Sequence, residues 1–175
     1  MTDSLRGQLL IAAPSLFDYF RRAVVLVLEH TDEGAMGVVL NRPSETSVGE
    51  AVSALAELAD HDELVRVGGP VSPESVVALG DFEDAGEAGT TVVGSLGLLD
   101  PDAAEPALRR LRVYAGYAGW GPGQLDGEVE QGAWIVESAD PEDPFLEGDL
   151  WADALQRKGG AYSLLATMPA DPSLN

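Results

Sequence analysis

The segment from Tyr114 to Leu125 (Tyr-Ala-Gly-Tyr-Ala-Gly-Trp-Gly-Pro-Gly-Gln-Leu) restricts the fold of this chain more than any other, because it sets three aromatic side chains among four glycines and a proline. Glycine lets a backbone turn through positive φ or approach another surface closely, so rings beside it can be held at a fixed angle by a tight loop. Two readings follow. In one, Trp120 plugs the core and the glycines permit the bend; in the other, Tyr117 and Trp120 wall a pocket whose polar groups are Gln124, Asn41 and Arg42.

The chain of 175 residues is of single-domain length and buries enough surface to need no metal or disulfide staple. Thirty acidic residues against ten basic ones give a formal net charge of −20, which opposes DNA, RNA and anionic membranes, since each phosphate contact needs a cation. The basic clusters Arg109, Arg110, Arg112 and Arg21, Arg22 read as solvated faces beside buried strands. With no cysteine, thiol catalysis, iron–sulfur clusters and Cys-ligated zinc are excluded. Met1-Thr2-Asp3 opens no basic and apolar leader, and no apolar run approaches a membrane span, so a cytoplasmic protein is expected.

Continuous or alternating apolar runs predict strands at 9–14, 23–29, 36–40, 64–67, 76–79, 90–96, 112–118 and 133–137, with a further short one at 162–166. Ser47 and Glu50 form a capping box for a helix to about residue 60. Asp102 to Leu111 reads as a second helix, a third starts at Pro122 as N1, and Leu150 to Arg157 is a fourth, closed by Gly159-Gly160. Asp81 to Gly89 reads as an acidic surface loop and Asn41-Arg42-Pro43 as the stop of a strand. Strands outnumber helices without regular alternation, which predicts a single α+β domain with a mixed, largely antiparallel sheet flanked by helices.

Catalytic patterns are weak. Gly94-Ser95-Leu96-Gly97 lacks the spacing of a nucleophile elbow, and His30 reads as a histidine hydrogen-bonded at a strand terminus. The acidic pairs read as solvated surface, without the spacing of a calcium loop. Gly68-Gly69-Pro70 precedes no helix, and Asp126, Glu128 and Glu130 would repel a phosphate from the Gly119–Gly123 loop. No metal or cofactor is expected. The expected ligand- or partner-binding set is Asn41, Arg42, Gly69, Tyr117, Trp120 and Gln124.

These motifs resemble the bacterial YqgE/AlgH family: Gly7-Gln8-Leu9-Leu10-Ile11-Ala12 with Pro14, Glu29-His30, Met36-Gly37 through Asn41-Arg42-Pro43, Gly68-Gly69-Pro70-Val71, and Gly116 through Leu125 followed by Glu128 and Trp134. The resemblance spans nearly the whole chain. It implies a compact α+β domain with a barrel-like sheet and a regulatory role of the kind proposed for alginate production, with no agreed catalytic residues. Members often carry a histidine after the second glycine–proline motif; Leu79-Gly80 stand there here, so any metal or acid/base role of that histidine is not carried over. The expected function is that of a non-catalytic regulatory or binding protein acting on a protein partner or small ligand. An enzyme in which Arg42 fixes a substrate carboxylate is the alternative; a DNA-contacting regulator is a third reading, opposed by the charge.

Overall fold

The computed structural model describes residues 4–16, 19–52, 63–84, 88, 90–99 and 108–167. Ten strands run β1 (Gln8–Ala12), β2 (Val24–Thr31), β3 (Gly34–Val39), β4 (Pro43–Ser47), β5 (Leu64–Val67), β6 (Val71–Phe82), β7 (Thr90–Val93), β8 (Leu96–Leu98), β9 (Leu108–Trp120) and β10 (Trp134–Ser138). Four helices, α1 (Val48–Ala51), α2 (Gln124–Glu130), α3 (Leu150–Lys158) and α4 (Tyr162–Leu165), and a 3₁₀ turn at Asp143–Phe145 complete the described elements.

The strand path is β10-β1-β2-β3-β9-β6-β8-β7, with β5 added parallel to β9 and β4 antiparallel to β5. The α+β class and the mixed, largely antiparallel sheet are as expected. The path ends in β10 on one side and β7 on the other, and the sheet is not closed into a barrel, which corrects the closure implied by the family resemblance.

The continuous apolar run of β2 follows from burial on both faces. Val24, Leu26 and Leu28 enter one core with Leu9, Ile11 and Val38; Val25 and Val27 enter a second with Leu10, Ala12 and Val39. Helix α3 covers the first face through Leu150, Trp151, Ala154 and Leu155, and the indole N–H of Trp151 donates to Ala12 O at 2.8 Å. On the opposite face Leu125 of α2 packs with Trp120 and Trp134. A smaller core of Val48, Val65, Leu111 and Val113 fills the β5–β9 side.

β9 holds the sheet together. One of its edges pairs with β6 over most of its length, and the other pairs first with β5 at Tyr114–Ala115 and then with β3 at Ala118–Trp120. The register against β6 shifts between Val71 and Val76, beside Gly116 at φ +75°. A Cβ on Gly116 would lie 2.5 Å from Gly69 O, so the bend requires glycine.

Several expectations are corrected. Residues 108–111, expected at the end of a helix, begin β9: Leu111 and Val113 point into the small core and Arg110 and Arg112 to the other face, and pairing with β6 outweighs the i, i+3 spacing of Leu108 and Leu111. The rest of that expected helix, 102–107, lies outside the described residues, as do residues 53–60 of the first one; its start at Ser47 is observed, with Ser47 Oγ accepting from Glu50 N at 3.3 Å. Residues 162–165 are a helical turn, not a strand. The stretch 90–96 is a hairpin, β7 and β8 joined at Gly94-Ser95. Helix α2 starts at Gln124, capped by left-handed Gly123, so Pro122 precedes its N-cap. Asp81 and Phe82 belong to β6, and the polar β4 follows the Asn41-Arg42 stop.

Candidate functional site

The aromatic–glycine corner is built around a carboxylate. Glu128, one helical turn beyond Gln124, accepts at Oε1 from Trp120 Nε1 (3.1 Å) and Trp134 Nε1 (2.9 Å), and at Oε2 from Gln124 Nε2 (2.9 Å). Gln124 Oε1 in turn accepts from Gly121 N at 3.0 Å. The two indoles meet edge to face at 6.1 Å, and Phe20 packs on both at 6.4 and 5.5 Å. Trp120 is 7% exposed, so its ring is interior and its N–H is already used. Beside it His30 accepts from Leu5 N at Nδ1 (2.8 Å) and faces Asp126 Oδ1 with Nε2 at 3.4 Å, a strand-terminus histidine as read from the sequence.

The six expected site residues fall in three places. Trp120 and Gln124 share the Glu128 clasp. Gly69 and Tyr117 meet at the β9 bend, where the buried Gly69 backbone lies against the Tyr117 peptide. Asn41 and Arg42 stand at the end of β3: Asn41 Oδ1 accepts from Val24 N (3.0 Å) and its Nδ2 donates to Arg22 O (2.9 Å). The Arg42 guanidinium donates to Tyr19 O and Arg21 O and lies 4.6 Å over the Tyr19 ring. Tyr19 contacts Phe20 edge-on at 5.1 Å, so a row of rings joins Arg42 to Trp120.

On the other side of Asn41 a cleft of about 450 Å³ opens between Leu40, Pro43, Arg66, Leu146 and Glu147. Arg66 and Glu147 are its charged lining, and strand pairing sets a second arginine nearby. Arg66 of β5 stands beside Tyr114 of β9, and Arg112, two residues before Tyr114, projects from the same face. Both guanidiniums are nearly enclosed, with side chains 12% and 11% exposed. Arg66 donates to Leu40 O at 3.3 Å and lies 3.9 Å from Glu147 Oε1. Arg112 donates to Pro144 O (3.0 Å), to Glu147 Oε1 (3.1 Å) and to Glu63 Oε1. Glu147 is 80% exposed, so its carboxylate reaches in from solvent. Arg66 Nε and the Tyr114 hydroxyl are buried without a hydrogen-bond partner among the described residues. Burial pushes the Tyr114 phenol up beyond its ordinary range against the opposing charges of Arg66 and Arg112.

Sequence reasoning missed Arg66, Tyr114 and Glu147, and placed Arg112 on a solvated face, whereas it is buried. The usable signal was a cation inside the short apolar strand 64–67 and a second one in step with Tyr114. Its neighbours Arg109 and Arg110 pair with the buried Asp81, which also accepts from Ser95 Oγ at 2.7 Å; Ser95 is thus a hairpin residue with a structural partner. Burial alone would raise the Asp81 carboxyl, but hydrogen bonds from Ser95 and Arg110 and the charges of Arg110 and Arg109 hold it below its ordinary value. Among the described residues no group of three His, Asp or Glu is placed to hold a metal ion, and no helix is long and apolar enough to cross a membrane.

This open α+β sheet has known counterparts. The AlgH-like family model matches residues 9–163, and the chain belongs to that family. A UPF0301 protein of Streptomyces coelicolor is 45% identical over 99% of this chain and 96% of its own, and one of Mycobacteroides abscessus is 43% identical over 97% and 87%. Among solved structures, a Corynebacterium diphtheriae protein superposes with a TM-score of 0.85 at 31% identity, covering 95% of this chain and 93% of that one. The solution structure of AlgH from Pseudomonas aeruginosa gives 0.72 at 30% identity, covering 97% and 96%.

Proposed function

We propose that this chain is a non-catalytic cytoplasmic binding domain of regulatory type, whose cleft beside Asn41 receives a small ligand while the aromatic–glycine corner holds the frame. The observation that carries this reading is a cleft of about 450 Å³ lined by Arg66 and Glu147, where Glu147 also binds the enclosed Arg112 and Arg66 Nε has no acceptor among the described residues. Arginine stays charged at any physiological pH, so Arg66 holds a ligand by charge and hydrogen bonding without exchanging protons with it. The Asn41 amide spends its hydrogen bonds on Val24 and Arg22, which fixes the cleft wall. The acidity of the chain favours a small molecule over nucleic acid.

The test is a thermal-shift screen of a metabolite library against the chain and Leu64→Trp, which fills the cleft from its half-exposed rim. A ligand that raises Tm in the parent and not in Leu64→Trp supports the reading. Equal shifts in both proteins, or turnover of the ligand by the parent, refute it.

A further inference from the structure

The reading of the cleft as a ligand site leaves the ligand's chemistry open, and Glu147 narrows it. Arg66 and Glu147 line the cleft, Glu147 also pairs with Arg112, and Arg112 pairs with Glu63, so this group of four is charge-balanced at rest. The two carboxylates are not equivalent. Glu63 is 13% exposed and set against Arg112 alone, whereas Glu147 is 80% exposed and extends from the loop beyond the 3₁₀ turn to touch Arg112 at 3.1 Å and approach Arg66 at 3.9 Å. An exposed ion pair on a long side chain is worth little net free energy, so this arm leaves at small cost. Its departure leaves one uncompensated positive charge over the two guanidiniums it bridged, and Arg66 Nε has no acceptor among the described residues. A single carboxylate matches that charge and the paired N–H geometry of a guanidinium, and a dianion exceeds it. Leu40, Pro43, Leu64, Leu146 and Leu150 supply apolar side chains to the lining, alongside the Asn41 amide and Gly148.

We infer that the cleft binds a small organic monocarboxylate with an apolar body, which displaces Glu147 and places its carboxylate on Arg66 and Arg112. Glu147 is then an internal competitor, a side chain that rests where the ligand's carboxylate goes. This inference rests on the cleft being a ligand site, and it assigns the ligand class.

The test is calorimetric titration of the full chain with octanoate, octanamide and inorganic phosphate at fixed salt, in the parent, Glu147→Gln and Arg66→Gln. Octanoate binds the parent, and Glu147→Gln binds it about fivefold more tightly, as expected for removing one like charge near contact distance. Arg66→Gln binds octanoate at least about tenfold more weakly, as for loss of a charge-assisted donor. Octanamide and phosphate bind at least about tenfold more weakly than octanoate, since each lacks one half of the match. Because Glu147 is a surface residue, its variant folds and keeps the experiment decisive even where Arg66→Gln does not. Octanoate affinity unchanged or lowered in Glu147→Gln overturns the inference, as does octanamide or phosphate binding as well as octanoate. No binding of octanoate to either the parent or Glu147→Gln also overturns it. The cleft reading falls separately, by the Leu64→Trp comparison, so an uncharged ligand blocked by that substitution would keep the site and reject its assignment to carboxylates.

Discussion

The Cα of Gly69 lies so close to the main chain of Tyr117 that a Cβ there would overlap the Tyr117 carbonyl and sit 2.5 Å from Ala118 N. The obstacle is backbone in the middle of β9, which cannot rotate aside as a side chain would. Gly69→Ala is therefore expected to destabilise the fold by about 2 kcal/mol or more, at the upper end of overpacking costs. Urea denaturation checks this, and a midpoint equal to that of the parent would show that β9 yields locally.

The Glu128 carboxylate is the acceptor for two indole N–H groups, Trp120 and Trp134, at 3.1 and 2.9 Å. Glu128→Ala leaves both donors without it, at about 1–3 kcal/mol for each buried group stranded. Glu128→Gln keeps one carbonyl oxygen and loses less. Denaturant midpoints should rank parent, Gln, Ala, with the tryptophan emission maximum moving to the red in the alanine variant as α2 loosens; an inverted ranking would remove the clasp.

Asp81 supplies a pH dependence of known sign. Its folded pKa lies below the ordinary 3.8, so its contribution to stability is fully present above that value and is lost as pH falls through the folded one. Asp81→Asn should thus be less stable than the parent at pH 7, with the gap narrowing only in strong acid, below about pH 4. Denaturation curves at pH 7, 4 and 3 test it, and a gap that is constant across the series contradicts the assignment.

Asn41 and Arg42 are neighbours with different duties. The Asn41 amide joins the end of β3 to the start of β2, so Asn41→Ala should cost about 1–3 kcal/mol through an unmet Val24 N–H. Arg42 contacts exposed carbonyls and the Tyr19 ring, and Arg42→Ala should cost no more than about 1 kcal/mol. Reversal of that order in thermal melts would mean that the Arg42–Tyr19 contact, not the amide, braces this corner.

Much of this molecule is legible in its sequence. The five-residue apolar run of β2 is buried on both faces, Ser47 caps α1, and Gly159 closes α3, each as composition and spacing imply. What escaped depends on partners distant along the chain. β4 is Pro-Ser-Glu-Thr-Ser and becomes a strand only because β5 lies beside it. Arg110 and Arg112 look solvated until Asp81, Glu142, Glu63 and Glu147 are brought around them. The aromatic corner stands out in the sequence, yet the role of Glu128 as acceptor for both indoles does not, because Trp134 reaches it only through the fold. The cleft is invisible in the sequence because Arg66, held by parallel β5–β9 pairing, meets Leu146 and Glu147 of a late loop, and local periodicity encodes neither.

β9 carries Arg112 near one end and Trp120 at the other, on a single uninterrupted strand. Between them the backbone bends once, at Gly116. The protein thus carries an intrinsic fluorophore, the Trp120 indole, on the same strand as the Arg112 guanidinium.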